Sequence, residues 1–317
     1  MSILKTTVGK VNLKNPVLLA SGTCGIAARE FESYFKLSEL GGIVTKSLSI
    51  KPRLGNPTPR VVEIPGCGML NSIGLQNPGI EHFVKEEIPY LISQDATFVL
   101  NIVGETLDDY IQVADYIKDR KEPVAVELNL SCPNVEGGLD FSQDAKKAFA
   151  VVSEIKKIIE IPVWAKLSPN VTDITEIAKA CIDAGADGIS LINTLIGLVI
   201  NKWTKKPTLP RGVAGYSGPA IKPIAQRMVW EIYKKFPNVP IIGIGGIHTT
   251  DDAIEFLLCG ASCIQVGTAS FANPKAGIEI VNGLKDYCEK NKLNSISEII
   301  GQAHVEMLRR SVSTVAK

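Results

Sequence analysis

No apolar run in the 317-residue chain is long enough to cross a bilayer: the longest, ISLINTLIGLVI (189–200), stops well short of the ~20 residues a membrane helix needs. The start, MSILKTTVGKVNLKNP, lacks the basic, apolar and small-residue order of a secretory signal, so a cytoplasmic protein is expected. Charge of one sign is missing too. Thirty-four Lys and Arg stand against 33 Asp and Glu, dispersed, for a net charge of +1, which sets aside a nucleic-acid groove and an acidic partner surface. Aromatic residues are only 6% of the chain and histidines number three. His82, His248 and His304 fall in helix-like or post-turn contexts, so no histidine base stands at a strand end. The seven cysteines (24, 67, 132, 181, 259, 263 and 288) form no Cys-x-x-Cys pair and no zinc or iron–sulfur spacing, and no metal site is expected. The closest pair, CGASC at 259–263, reads as two small core residues at a helix end and the next strand. Cys132 has to be judged alone.

With 45% hydrophobic residues, the chain can bury a large core. Short β-branched runs alternate with longer amphipathic stretches, which is the pattern of repeated βα units and a parallel sheet. Eight strands are predicted: PVLLA (16–20), GIVTK (42–46), TFVLNI (97–102), VAVELNL (124–130), PVWAKL (162–167), GISLI (188–192), PIIGIG (240–245) and CIQVG (263–267). Helices such as ITEIAKACIDAG and TDDAIEFLLCG lie between them, stopped by Gly185 and Gly260 as C-terminal glycines would stop them. The expected fold is an α/β (β/α)8 TIM barrel in a single domain, 1–317, with an N-terminal hairpin in TTVGKVNLKNP. Two connections are unusually long, 51–79 after the second strand and 197–218 after the sixth. Both fall on the face where barrel enzymes build their sites.

The strand ends carry Ser21 and Gly22, Lys46 and Ser47, Asn101, Asn129, Lys166, Asn193 and Thr194, Gly245 and Gly246, and Gly267 and Thr268. Lysine or asparagine at five of eight ends is more than solvent contact explains. GIGGIHTT and VGTASF, after the last two strands, stand where barrels commonly hold a phosphate on backbone N–H groups. Lys46 and Lys166 allow two readings. One is a Schiff-base lyase with a lysine nucleophile. In the other, one lysine meets a substrate carboxylate and the other the N1–C2=O edge of a flavin. Asn71, Asn129 and Asn193 favour the second, since each offers the donor and acceptor that a uracil-like ring requires. A non-catalytic binding barrel fits the loaded strand ends less well. Glu127 points into the barrel one layer below Asn129 and reads as the buried partner of a lysine such as Lys166, or else as a base. Cys132 stands just past the fourth strand on a Pro-Asn-Gly-Gly loop, where a thiol of ordinary pKa near ~8.5 can act as a general base.

ASG (20–22), TKS (45–47), GNPTPR (55–60), MLNSIGLQNPG (69–79), ELNLSCPNV (127–135), AKLSPNVTDI (165–174), GADGISLINTLIG (185–197), SGPAIKP (217–223), IGIGGI (242–247) and VGTASF (266–271) resemble the dihydroorotate dehydrogenases along nearly the whole chain. The resemblance implies oxidation of (S)-dihydroorotate to orotate with FMN at the top of the barrel, and Cys132 as the base that takes the C5 proton. It assigns Lys46, Asn71, Ser72, Ile73, Gly74, Leu75, Asn129, Asn193 and Thr194 to the substrate. Ser21, Gly22, Lys46, Ser47, Asn101, Asn129, Lys166, Ile192, Gly218, Gly245, Gly246, Gly267 and Thr268 are assigned to FMN. NPGIEHF, INTLIG and SGPAIKPIA are similar to the NAD-linked class 1B catalytic subunit more than to the homodimeric, fumarate-linked class 1A. Class 1B implies a homodimer core docked to an electron-transfer subunit that carries FAD and a [2Fe–2S] cluster, a heterotetramer in all. This chain has no strand-linked G-x-G-x-x-G fingerprint and no four-cysteine set of its own. CGIAARE, NIVGET and the segment 199–218 depart from the pattern of the family.

Overall fold

Eight short strands alternate inward and outward side chains and close into a parallel barrel: β1 (Val17–Leu19), β2 (Gly42–Val44), β3 (Phe98–Ile102), β4 (Ala125–Asn129), β5 (Val163–Leu167), β6 (Gly188–Leu191), β7 (Ile241–Ile244) and β8 (Cys263–Val266). They pair in chain order, and Val266 beside Leu19 closes β8 onto β1. The structure, a computed structural model, describes residues 2–66, 68–131, 141–305 and 307. All eight predicted strands are present, with ends that differ by a residue or two; β2 stops at Val44, which leaves Lys46 beyond it.

Strand alternation divides the core in two. Leu18, Val44, Val99, Trp164 and Ile242 form one cluster, and Val8, Val11 and Leu13 of the N-terminal hairpin (Thr6–Val8 and Val11–Leu13) pack into it. Their neighbours along the same strands, among them Val17, Ile43, Leu100, Ala165 and Ile241, belong to the larger cluster shared with the helices. Complete burial of a side chain of this size stabilises by roughly 1.5–3 kcal/mol.

The helices begin where a short polar side chain can replace the missing acceptor. Thr106 caps Leu107–Ile117, Asp144 caps Ala145–Ile158, Asp173 caps Ile174–Asp183 and Thr249 caps Thr250–Cys259. Gly260 ends the last of these in the left-handed region at φ 116. No helix among the described residues is long and apolar enough to cross a membrane.

The two long connections are not separate lids. Val61–Ile64 and Gly68–Asn71 from the first join Leu195–Gly197 and Ala214–Ser217 from the sequence around the second in one four-stranded antiparallel sheet. The join is Gly68–Asn71 against Ala214–Ser217, with Asn71 opposite Gly215 and Met69 opposite Ser217.

Candidate active site

Strand ends and the four-stranded antiparallel sheet, the cap sheet, line one cleft. β4 contributes Asn129, β5 contributes Lys166, and the chain just past β2 contributes Lys46 and Ser47. The cap sheet contributes Val61, Met69, Asn71 and Ser217.

Amide groups are fixed by one another. Asn193 Nδ2 donates to Asn129 Oδ1 at 3.1 Å, and Asn129 Nδ2 donates to Ser47 Oγ at 3.1 Å. The backbone N–H of Thr194 holds Asn193 Oδ1 at 2.8 Å, and Tyr110 Oη donates to the Asn129 carbonyl at 2.6 Å. Asn71 Nδ2 donates to the Gly215 carbonyl at 3.3 Å across the cap sheet. Each amide nitrogen carries two hydrogens, so each keeps donor capacity after these bonds. Three oriented amides around one cleft suit a planar ring that bears carbonyl and N–H groups.

Two lysines, Lys166 buried and Lys46 half-buried, supply positive charge. Lys166 is 6% exposed, and its Nζ lies 3.9 Å from Glu127 Oε1. Glu127 is fully buried and accepts at 2.7 Å from each of Asn101 Nδ2, Ser190 Oγ and Gln265 Nε2. Its closest partners are therefore neutral donors from β3, β6 and β8, with the lysine of β5 farther off. Burial holds the Lys46 ammonium below the usual lysine range, and Arg60 and Lys166 add to the effect. Its Nζ would stand in ordinary contact, 3.7 Å, with a Cβ on Gly22, and what favours glycine there is the backbone at φ +86. The same burial pushes the Cys24 thiol up to about 12, which makes it an inert core group beneath the site.

The last two strand ends are built for close approach. Gly246 sits at φ +75, and a Cβ there would come within 2.7 Å of the Lys222 backbone nitrogen; its neighbour Gly245 sits at φ +121. The backbone N–H groups of Gly246, Ile247, Gly267 and Thr268 engage no other backbone carbonyl among the described residues. Thr268 Oγ1 donates to Ser217 Oγ at 2.8 Å, which joins this end to the cap sheet. Free N–H groups around glycines fit a phosphate, and two ammonium groups largely removed from solvent fit the edge of a flavin ring that gains negative charge on reduction. FMN is therefore compatible with these residues: the glycine end would hold its phosphate and Lys166 its ring.

Most of the predicted site residues come together here, namely Ser21, Gly22, Lys46, Ser47, Asn71, Ile73, Gly74, Leu75, Asn129, Lys166, Ile192, Asn193, Thr194, Gly218, Gly245, Gly246, Gly267 and Thr268. Two lie elsewhere. Asn101 is fully buried, level with Glu127 in the β3–β4 register, and its amide donates to that carboxylate, so it stands beneath the cleft and not in its wall. Ser72 is 2% exposed and held by its backbone, the N–H on Arg60 O and the carbonyl on Asn56 Nδ2. Cys132 lies outside the described residues, while its neighbour Ser131 lines the cleft. Sequence reasoning missed Met69, Ser217, His248 and Phe271, which also line it. For His248 a signal existed, since it follows Gly245 by three residues on a strand-end loop.

The family model for dihydroorotate dehydrogenase matches residues 3–288. Dihydroorotate dehydrogenase B (NAD(+)), catalytic subunit, of Geotalea uraniireducens is 48% identical over 299 residues, covering 94% of this chain and 97% of the relative. The protein of the same name from Thermoanaerobacter pseudethanolicus is 46% identical over 304 residues, 96% of this chain and 99% of the relative. An Aquifex aeolicus protein provisionally named dihydroorotate dehydrogenase A (fumarate) is 50% identical over 296 residues, 93% of this chain and 96% of the relative.

Proposed function

The chain belongs to the dihydroorotate dehydrogenase family, and on that premise we propose that this cleft oxidises (S)-dihydroorotate to orotate in de novo pyrimidine (UMP) synthesis. The observation that carries the reading is the convergence of Asn71, Asn129 and Asn193 with the half-buried Lys46 and the buried Lys166 in a cleft that ends in two glycine turns. A Schiff-base lyase would use a lysine nucleophile but would leave the three oriented amides without a role. Three amides held in place by Thr194, Ser47 and Gly215 are what a ring with two carbonyls and two N–H groups asks for.

Lys46 meets the substrate carboxylate, an anion that offsets the cost of burying the ammonium. Asn71, Asn129, Asn193, Thr194 and the backbone from Ile73 to Leu75 orient the ring. Cys132 takes the C5 proton onto its thiolate; the support is that Ser131, the residue before it in the sequence, lines the cleft, together with the family resemblance. When bound, FMN supplies the acceptor for the hydride that leaves C6. Ser21, Gly22, Ser47, Lys166, Ile192, Gly218, Gly245, Gly246, Gly267 and Thr268 would hold it, and the Lys166 ammonium would face its N1–C2=O edge.

Electrons then pass to NAD+ through a separate subunit that carries FAD and a [2Fe–2S] cluster, on a homodimer of this chain, a heterotetramer in all. The names of the Geotalea and Thermoanaerobacter relatives support NAD+ and a further subunit, and the sequence has no dinucleotide fingerprint or cluster ligand set; FAD, the cluster and the assembly rest on the family resemblance. The Aquifex relative favours a second reading, fumarate as the acceptor of a homodimer. A paired assay decides. The purified protein should be yellow and should reduce an artificial acceptor with dihydroorotate, and it should reduce NAD+ only when the partner subunit is added. NAD+ reduction by this chain alone would defeat the partner claim, and fumarate turnover by this chain alone would establish the second reading. A colourless protein trapped on a lysine by borohydride would overturn both.

A further inference from the structure

His248 is anchored at the glycine end of the cleft by its backbone. Its N–H donates to Asp252 Oδ2 at 2.9 Å, and the same carboxylate oxygen accepts from Thr249 N at 2.8 Å where the helix Thr250–Cys259 begins. His248 is among the residues that line the cleft, and its Nδ1 is buried with no hydrogen-bond partner. Buried ring nitrogens are normally satisfied, so an unsatisfied one in the wall of a ligand cleft points to a partner that the ligand brings. Two polar side chains nearby are already committed. Lys222 Nζ bridges Asp252 Oδ1 at 2.6 Å and Glu255 Oε2 at 2.9 Å, and Thr268 donates to Ser217. An anion seated on the N–H groups of Gly246 and Thr268 would find in His248 a side-chain donor with no competing bond.

We propose that His248 is a cofactor-binding residue, with Nδ1–H donating to the phosphate of the flavin nucleotide. This rests on the reading of the glycine end as the phosphate site. With Nδ1 as the donor, the neutral ring leaves Nε2 as its acceptor. The role is one of affinity, and it selects for the phosphorylated flavin over the unphosphorylated one.

The test titrates apoprotein with FMN and with riboflavin, following quenching of flavin fluorescence, so that catalysis is not the readout. The unsubstituted protein should bind FMN more tightly than riboflavin; equal affinities would sink the phosphate site itself, whatever the variants do. His248→Ala should weaken FMN by about tenfold or more, the usual loss for a hydrogen bond to a charged group, and leave riboflavin unchanged. His248→Asn, whose amide nitrogen can occupy the place of Nδ1, should recover most of the preference. An alanine variant that binds FMN as tightly as the unsubstituted protein, or loses both flavins alike, would overturn the assignment. Should the alanine variant fail to fold, the asparagine variant decides: kept preference for FMN supports the role, and lost preference refutes it.

Discussion

Replacing Glu127 tests whether the polar layer inside the barrel is understood. Its carboxylate accepts three bonds at 2.7 Å, from Asn101, Ser190 and Gln265, and lies 3.9 Å from the Lys166 ammonium. All three donors come from residues with no exposure, so Glu127→Ala leaves each without solvent to turn to. Each orphaned donor costs about 1–3 kcal/mol, while loss of the carboxylate relieves its own desolvation, and breaking a buried charged cluster in this way costs about 3–5 kcal/mol net. For a chain of this length that lowers Tm by roughly 5–8 °C. Glu127→Gln should behave differently. Gln265 Oε1 and Asn101 Oδ1 have no partners, so either amide can turn to accept from the new amide, and the Ser190 hydroxyl can rotate. What it cannot replace is the negative charge beside Lys166, and the expected loss is about 1–2 kcal/mol. Equilibrium urea denaturation of the ligand-free protein measures both. A glutamine variant as unstable as the alanine variant, or an alanine variant within 1 kcal/mol of the unsubstituted protein by the scale used here, would refute the reasoning.

Cys132→Ala should leave FMN bound yet slow flavin reduction by dihydroorotate by about 100-fold or more, the usual size of a lost general base; anaerobic stopped-flow at an unchanged rate would remove Cys132 from the mechanism. Lys46 has a lowered pKa when folded, so the unfolded chain binds more protons between that value and the ordinary lysine range. Ligand-free stability should therefore rise with pH through that window, and Lys46→Met should flatten the slope; urea midpoints at stepped pH will show it, and an unaltered slope would exonerate Lys46. Orotate affinity should fall in the same variant, as a binding titration can check. Gly246→Ala should be poorly tolerated, because its Cβ would meet the Lys222 backbone at 2.7 Å in a conformation at φ +75, and FMN affinity should fall with it; unchanged affinity would show that the glycine turn is not needed.

The barrel was legible because its signal is local: β-branched runs such as GISL and IIGI stand between helical stretches with caps at their starts. Lys46, Asn129 and Lys166 could be placed at the site from strand ends alone. Asn101 could not, because whether a residue near a strand end faces the cleft or the layer below depends on register. Here Asn101 pairs level with Glu127, a fact that only the neighbouring strand supplies. The cap sheet was hidden for a related reason. Asn71 and Gly215 lie 144 residues apart, and short stretches such as GMLN and AGYS carry too little pattern to announce a partner at that distance.

That pairing has a consequence for anyone who would transplant specificity from one relative to another. The connection after β2 and the connection after β6 share a backbone ladder, Met69 to Ser217 and Asn71 to Gly215, and Asn71 reaches the cleft through it. A chimera that imports one connection alone would present foreign edge geometry to its native companion and would displace Asn71 without any change at position 71. The two segments form a single inheritable module, to be exchanged as a pair or left as a pair.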